Sequence, residues 1–165
     1  MCDHCGCRQV PPIGELMDEH TALLDEASDV RKALSEGDLV AAMDLVRTLV
    51  GHLERHVHRE ETGIFPALRE TGEFVEEVDE LEGEHRVLDA ALEGLDVHAP
   101  DFSHRVTALL HTLDSHVERE NLGVFPVSVV TLGATGWDTI ARAHADTPTF
   151  LNDGGSMTVN EHRST

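Results

Sequence analysis

The chain has 165 residues, enough for one domain with a sizeable core, and its formal net charge is −20 at pH 7. This charge argues against nucleic acid and against an anionic membrane as partners, because both would repel the chain. No apolar run approaches the roughly 18 residues of a membrane span, and the N-terminus lacks the pattern of a secretory signal, so we expect a cytoplasmic protein.

All three cysteines lie in the first seven residues, MCDHCGC, at Cys2, Cys5 and Cys7. An odd number of cysteines this close together is not a disulfide framework. Three interpretations stay open: a flexible thiol-bearing arm, a labile metal site that includes His4, and a redox-reactive arm that exchanges disulfides with a protein partner. We treat residues 1–12 as a Cys-rich N-terminal arm.

Four amphipathic helices are predicted within residues 13–132, because apolar residues recur there at spacings of three and four. The predicted helices cover residues 13–35, 38–62, 74–95 and 101–122. Gly37 should end the first helix, and Asp38 should cap the second. Helices of matched length with one apolar stripe each predict an all-α fold, an up-down four-helix bundle.

Two glycines, Gly63 and Gly123, follow the second and fourth predicted helices, with Pro66 and Pro126 three residues later, and we expect them to stop these helices. Residues 133–165 should contain one short fifth helix in GWDTIARAHA, which begins at Gly136. From Thr147 onward the composition predicts a mobile tail.

The segment HVHREETGIFP, residues 56–66, returns as HVERENLGVFP, residues 116–126, with seven of eleven positions identical. In each copy a histidine and a glutamate are four residues apart, so both side chains share one helix face. That face continues the apolar stripe of its helix and therefore points into the core. The first and third helices each contribute a further histidine that interrupts the stripe.

The predicted bundle thus turns six polar groups inward: His20, His56, Glu60, His85, His116 and Glu120. Burying ionised carboxylates without compensation costs several kcal/mol or more, and a metal centre would provide the compensation. Two carboxylates able to bridge, with two imidazoles in each half, predict a pair of metal ions with open positions for O2, water or peroxide. Imidazole with carboxylate suits iron, although zinc and manganese are not excluded.

Other histidines differ in their expected positions. His58 and His111 should face solvent, and Glu61 is turned away from the face that carries Glu60. His52 lies one turn before His56, which leaves two roles open, a further ligand or a hydrogen-bond partner of a ligand.

The order and spacing of His20, HVHRE with IFPAL, GEHRVL around His85, and HVERE with VFP resemble the hemerythrin-like, or HHE cation-binding, family over roughly residues 13–126. The resemblance implies a four-helix bundle with a non-haem di-iron centre, two iron ions that react with oxygen species. The oxygen carriers of this family have HxxxH and HxxxxD on their last two helices. The pattern here, H-HxxxE-H-HxxxE, is similar to the bacterial and regulatory branch and implies a sensor or a peroxide-reactive protein.

We therefore expect a di-iron protein that binds or reacts with O2, peroxide or another small oxidant, and catalase-like peroxide decomposition is the candidate enzyme activity. Two alternatives are a redox-, oxygen- or iron-sensing interaction module with the Cys-rich arm as its output, and a zinc-stabilised structural bundle.

Overall fold

The computed structural model describes residues 6–156, and within this range it contains helices and no strand. The helices are α1 Pro11–Glu36, α2 Leu39–Thr62, α3 Ile64–Arg69, α4 Val75–Glu93, α5 Phe102–Arg119, α6 Phe125–Thr131 and α7 Ala134–Asp146. A π-helical turn, Glu120–Val124, joins α5 to α6, and 3-10 segments lie at Cys7–Gln9 and Phe150–Ser156. The prediction of an all-α fold is confirmed.

The four long helices α1, α2, α4 and α5 form the bundle, and their ends lie within three residues of the predicted ones. Helix α1 begins two residues early, at Pro11, because proline is tolerated in the first turn, where its missing N–H has no partner to lose. Gly37 ends this helix with a φ of 76°. Asp38 caps α2, since its side chain accepts a hydrogen bond from the backbone N–H of Ala41 at 2.9 Å.

The two glycines of the repeat differ in their outcome. Helix α2 ends at Thr62, immediately before Gly63, so the expected stop at Gly63 is confirmed, although α3 begins one residue later. Gly123 lies inside the π-helical turn, so the expected stop at Gly123 is wrong. The reason is the position of the prolines. Pro66 and Pro126 lie in the first turn of α3 and α6, where the helix requires no backbone donor, so they start new helices and do not follow old ones.

The predicted fifth helix is present as α7, and Ile140 on this helix is fully buried against the bundle. The segment that follows it differs from the predicted mobile tail, because Phe150 is only 4% exposed. The ring of Phe150 stacks on His52, with ring centroids 4.5 Å apart. Phe150 and an ion pair between Asp153 and Arg55, at 2.7 Å, attach this polar segment to the bundle. Residues 157–165 of the predicted tail lie outside the described residues.

The N-terminal cysteines are described only in part. Cys2, His4 and Cys5 lie outside the described residues. Cys7 is 1% exposed, belongs to the apolar core beside Phe125, and forms a disulfide. At Cys7, then, the chain is part of the packed core and is not a flexible arm.

The apolar core consists of two clusters with a polar layer between them. One cluster contains Leu23 and Leu53, and the other contains Leu16 and Phe65. The inward histidines divide the two, as His20 lies between Leu16 and Leu23 along α1. None of the described helices is long and apolar enough to cross a membrane.

Replacement of Gly63 by alanine should lower the free energy of unfolding by about 1–3 kcal/mol, because the site has no room for a methyl group. A Cβ there would lie 2.7 Å from the carbonyl oxygen of Arg59 and 3.1 Å from the Cβ of Ala143 on α7. The matched variant is Gly123→Ala, where a Cβ would have nothing within 4 Å, and it should be neutral or slightly stabilising. Chemical denaturation of the metal-free proteins measures both, and equal stability of the two variants would contradict the prediction.

Candidate metal centre

All six residues predicted to turn inward meet in the polar layer between the two apolar clusters. Each is 2% exposed or less. His20 comes from α1 and His85 from α4, whereas each copy of the repeated segment supplies one histidine and one glutamate. Glu120 is the first residue of the π-helical turn, a local widening of the helix that is often found at functional sites.

The carboxylate of Glu60 lies between two pairs of imidazoles. Its Oε1 is 3.3 Å from Nε2 of His56 and 3.9 Å from Nε2 of His20. Its Oε2 faces the other pair, at 3.5 Å from Nε2 of His85. One oxygen of this side chain is therefore directed toward each pair.

Glu120 has the same arrangement with the pairs exchanged. Its Oε2 is 3.1 Å from Nε2 of His20, and its Oε1 is 3.2 Å from Nε2 of His116 and 3.9 Å from that of His85. The six residues therefore form two overlapping groups, each with two imidazoles and both carboxylates. The first group is His20, His56, Glu60 and Glu120, and the second is Glu60, His85, His116 and Glu120. Within each group the ligand atoms lie within 4.8 Å of one another.

Most of the inward-facing atoms have no hydrogen-bond partner among the described residues. Six buried atoms lack such a partner: both oxygens of Glu60, both oxygens of Glu120, and Nε2 of His20 and of His56. Each such atom costs about 1–3 kcal/mol, more if it is charged, so a cluster of six is unusual in a native core. Two divalent cations would satisfy all of them, and the residues therefore fit a pair of metal ions.

The outward nitrogens of the four imidazoles are all bound to oxygen atoms. The contacts join His56 Nδ1 to Glu19 Oε2 at 2.7 Å, His85 Nδ1 to Glu61 Oε1 at 2.9 Å, His116 Nδ1 to Glu84 Oε2 at 2.8 Å, and His20 Nδ1 to Asn121 Oδ1 at 3.1 Å. Because the partners are acceptors, each Nδ1 carries the proton and donates it. Each Nε2 then keeps its lone pair for a metal ion.

Two arginines hold two of these carboxylates from outside. Arg59 pairs with Glu19 and with Glu15, and it is fully buried. Arg119, the same position in the second copy of the repeat, pairs with Glu84 and with Glu80 but is 44% exposed. The guanidinium of each arginine therefore fixes the carboxylate that orients a histidine.

The phenylalanine of each repeated segment covers a histidine of the opposite half. Phe65 stacks on His85 with ring centroids 5.6 Å apart, and Phe125 stacks on His20 at 5.2 Å. These rings keep water away from the imidazoles and limit their rotation.

The remaining histidines lie apart from the centre. His58 and His111 are exposed, as predicted. His52 pairs with Glu26 at 2.6 Å and stacks on Phe150, so it takes neither of the two roles considered for it. Glu61 is outside the inner group as expected, but it orients His85, which the sequence reasoning did not anticipate.

The carboxylates that orient His56 and His116 were also missed, although the sequence contains a signal for them. ELMDEH at residues 15–20 returns as ELEGEH at residues 80–85. This second repeat places a glutamate immediately before each inward histidine of α1 and α4. Glu19 and Glu84 occupy that position, and the glutamates four residues earlier bind the arginines.

In the metal-free protein, the buried carboxylates raise the pKa of two of the imidazoles, those of His56 and His116, and so favour a compensating positive charge there. Burial alone would lower the pKa of His116, but the charges of Glu120 and Glu60 and the hydrogen bond to Glu84 raise it to about 9. Burial likewise opposes charge at His56, whose pKa is nevertheless raised, mainly by Glu60. Burial would raise the pKa of Glu120, yet His116 and His20 hold it well below its usual range.

A family model described as hemerythrin HHE cation binding domain matches residues 12–128, which is most of the chain. The chain belongs to the hemerythrin HHE cation-binding family. The match includes all six inward residues, and the family's cation-binding character agrees with the donor set described above. Comparison with curated proteins and with solved structures gave no significant match.

Replacement of Arg59 by methionine should lower the free energy of unfolding by about 3–5 kcal/mol, because it leaves the buried carboxylate of Glu19 without its cation. Arg119→Met is the matched control from the second copy of the repeat. Arg119 is partly exposed, so water can replace it and the loss should be about 1 kcal/mol or less. Denaturation of the metal-free variants would show the difference, and losses of similar size would argue against the assigned role of Arg59.

The affinity for a divalent metal should keep rising with pH up to about 9, because His116 must lose its proton before Nε2 can bind a cation. The same raised pKa means that the stability contributed by protonated His116 to the metal-free protein is complete below pH 6.5. That contribution is lost as the pH rises through about 9. Competition with a chelator for Zn2+ should give a gain of about tenfold per pH unit between pH 7.5 and 8.5. An affinity that levels off above pH 7, as for an ordinary imidazole, would disprove this.

Proposed function

We propose that this hemerythrin-family chain is a non-haem di-iron protein that binds or reacts with O2 or peroxide. The observation that carries the proposal is the arrangement of Glu60 and Glu120, each of which directs one oxygen toward each pair of imidazoles. His20 and His56 would hold one cation and His85 and His116 a second, with Glu60 and Glu120 available to both. Positions would then remain open for a small ligand.

When bound, iron supplies the Lewis acidity and the electron exchange that reaction with O2 or peroxide requires. The protein supplies orientation and a dry environment. Glu19, Glu84 and Glu61 hold the imidazoles with Nε2 inward, and Phe65 and Phe125 cover two of the rings. The two apolar clusters above and below the layer exclude bulk water.

The ligand pattern favours a sensor or a peroxide-reactive protein over an oxygen carrier, since it offers four imidazoles, one fewer than the carrier pattern. The acidic charge supports a protein that binds neither nucleic acid nor an anionic membrane, and a cytoplasmic location is part of this proposal. A protein partner that responds to the Cys-rich arm belongs to the sensing alternative, and a zinc-stabilised bundle is the structural alternative.

Anaerobic loading with Fe(II), followed by metal analysis and absorption spectroscopy, tests the proposal. About two irons per chain are expected, because the inner residues form two groups. Exposure to air or to peroxide should then produce ligand-to-metal charge-transfer bands. If the protein takes up no iron and shows no bands, or retains only zinc after growth in iron-rich medium, the oxygen chemistry is ruled out.

Three variants make this experiment specific to the inner residues. Glu60→Ala and Glu120→Ala should each lower iron content and weaken folding together, because each carboxylate serves both groups. His52→Ala is the matched control, a histidine one turn from His56 but outside the groups, and it should retain about two irons. Full iron content in both glutamate variants would contradict the ligand assignment.

Steady-state peroxide turnover distinguishes the enzyme from the sensor. Repeated additions with evolution of gas would identify a catalase-like enzyme. A sensor should show negligible turnover and should change conformation or oligomeric state with the oxidation state of its iron.

A further inference from the structure

An apolar groove of about 550 Å³ lies beside the second copy of the repeated segment, where α5 passes into the π-helical turn and α6. Its apolar walls are Leu68, Phe74, Leu81, Leu122, Val124 and Val127. The groove lies outside the six inner residues, none of which lines it.

The equivalent position in the first copy of the repeat is filled by α7. Gly63 is so close to this helix that a Cβ would lie 3.1 Å from the Cβ of Ala143 and 3.6 Å from the Cα of Ile140. Gly123 is the matching glycine of the second copy. It lines the groove, and a Cβ there would meet no atom within 4 Å. The repeat thus builds two similar surfaces, and the structure covers only one of them with a helix.

The arginines of the repeat show the same asymmetry. Arg59 is fully buried, and its partner Glu15 is 3.3 Å from His144 of α7. Arg119 makes the same kind of carboxylate pairs, but it is 44% exposed and forms part of the groove wall. Helix α7 lies beside the first pair, whereas the second pair borders the groove.

Apolar side chains are unusually exposed around the groove. Leu122, which stands where the first copy has Thr62, is 58% exposed. Leu122 is one of six large apolar side chains that are exposed among the described residues. Two more of these six lie near the groove in the sequence: Val75, next to Phe74, and Val130, one turn after Val127. Clustered apolar exposure of this kind marks a surface that binds another molecule.

The charge around the groove is negative. Glu77 and Glu118 line it and are exposed. Arg119 is the one cation among the lining residues, and its hydrogen bonds go to Glu80 and Glu84. A molecule that fits the groove should therefore combine an apolar face with positive charge.

We propose that this groove docks an amphipathic helix of a partner protein, with a face of small and aliphatic residues like that of α7 and with basic residues on its flanks. By analogy with α7, a cation at the position of Arg142 would lie near Glu118, since Arg142 lines a cleft with His58, the counterpart of Glu118 in the first copy. A cation at the position of His144 would lie near Glu80, as His144 lies near Glu15.

Neither helix α7 of a second copy nor the nine residues after Ser156 is a suitable occupant. Helix α7 of a second copy is already docked, since Ile140 is fully buried and Ala143 is 6% exposed. The nine residues after Ser156, MTVNEHRST, contain only Met157 and Val159 as large apolar residues, too few for a helix with an apolar face. A basic helix from another protein is the occupant that fits both the shape and the charge.

A fluorescent peptide that copies residues 133–147, with the substitutions Asp138→Lys and Asp146→Lys, serves as the probe. Fluorescence anisotropy with the full-length protein should show saturable binding with one peptide per chain. Leu122→Glu should weaken the binding at least tenfold, because it places a charge in the apolar wall. The matched control is Val40→Glu, an apolar residue of similar exposure at the far end of α2, and it should leave binding unchanged. Circular dichroism confirms that both variants are folded.

Methyl chemical shifts locate the bound peptide. Changes at Val124 and Val127 without change at Ile140 would support the proposal. Changes centred on Ile140 would mean that the peptide only replaces α7, which would overturn it, and so would an absence of binding or equal binding by Leu122→Glu. A dimer that Leu122→Glu converts to monomer, with no peptide binding, would assign the groove to a second copy. Binding that appears only after removal of residues 157–165 would assign it to the chain's own terminus.

Discussion

The placement of two carboxylates at the centre of an apolar bundle is the constraint on which the rest of this structure depends. Glu60 and Glu120 are fully buried, and their four oxygens have no hydrogen-bond partner among the described residues. No arrangement of aliphatic side chains can compensate two such charges, so positive charge must occupy the layer between them. In the metal-free protein the carboxylates raise the pKa of His56 and His116 and so favour protons on these imidazoles, and in the metal-bound protein the cations would displace those protons.

The repeated segment joins the two halves of the centre because two residues of each copy act on a histidine of the opposite half. In the first copy, His56 and Glu60 point inward, whereas Glu61 binds His85 and Phe65 stacks on the same ring. In the second copy, Asn121 and Phe125 do the same for His20. Neither half can be assembled without the other, so the four helices are expected to fold and to bind metal as one unit. This explains why the identical positions extend beyond the histidine and the glutamate to phenylalanine.

The inner residues could be predicted from the sequence because helical spacing alone determines which side chains share a face. His56 with Glu60 and His116 with Glu120 satisfy that criterion, and His20 and His85 stand out in apolar stripes. The layer around them was missed for a physical reason. Glu19 and Glu84 each precede an inward histidine of their own helix by one residue, so their side chains point to a neighbouring helix. Only the packing of α1 on α2 and of α4 on α5 brings them to the imidazoles of His56 and His116.

The structure at the ends of the bundle was predicted less well, because single residues there override the pattern of the segment around them. Gly123 with Pro126 has the composition of a helix stop, yet the widened turn that begins at Glu120 lets the helical path continue. Phe150 lies in a polar segment whose average composition hides it, although its ring is almost wholly buried. Composition describes a segment as a whole, whereas attachment to a core depends on individual side chains, here one aromatic ring and the ion pair of Asp153 with Arg55.

The two metal positions are chemically alike in their inner ligands, so any difference between them must arise one layer further out. His85 is oriented by the carboxylate of Glu61, but His20 is oriented by the neutral amide of Asn121. A carboxylate partner makes an imidazole a stronger donor than an amide does. Arg59 is buried beneath α7, whereas Arg119 borders an open groove. The duplicated sequence therefore produces a symmetric set of inner ligands with asymmetric surroundings. In the half that contains His85 and His116, both imidazoles have a carboxylate as hydrogen-bond partner, and the neighbouring surface is the more accessible one.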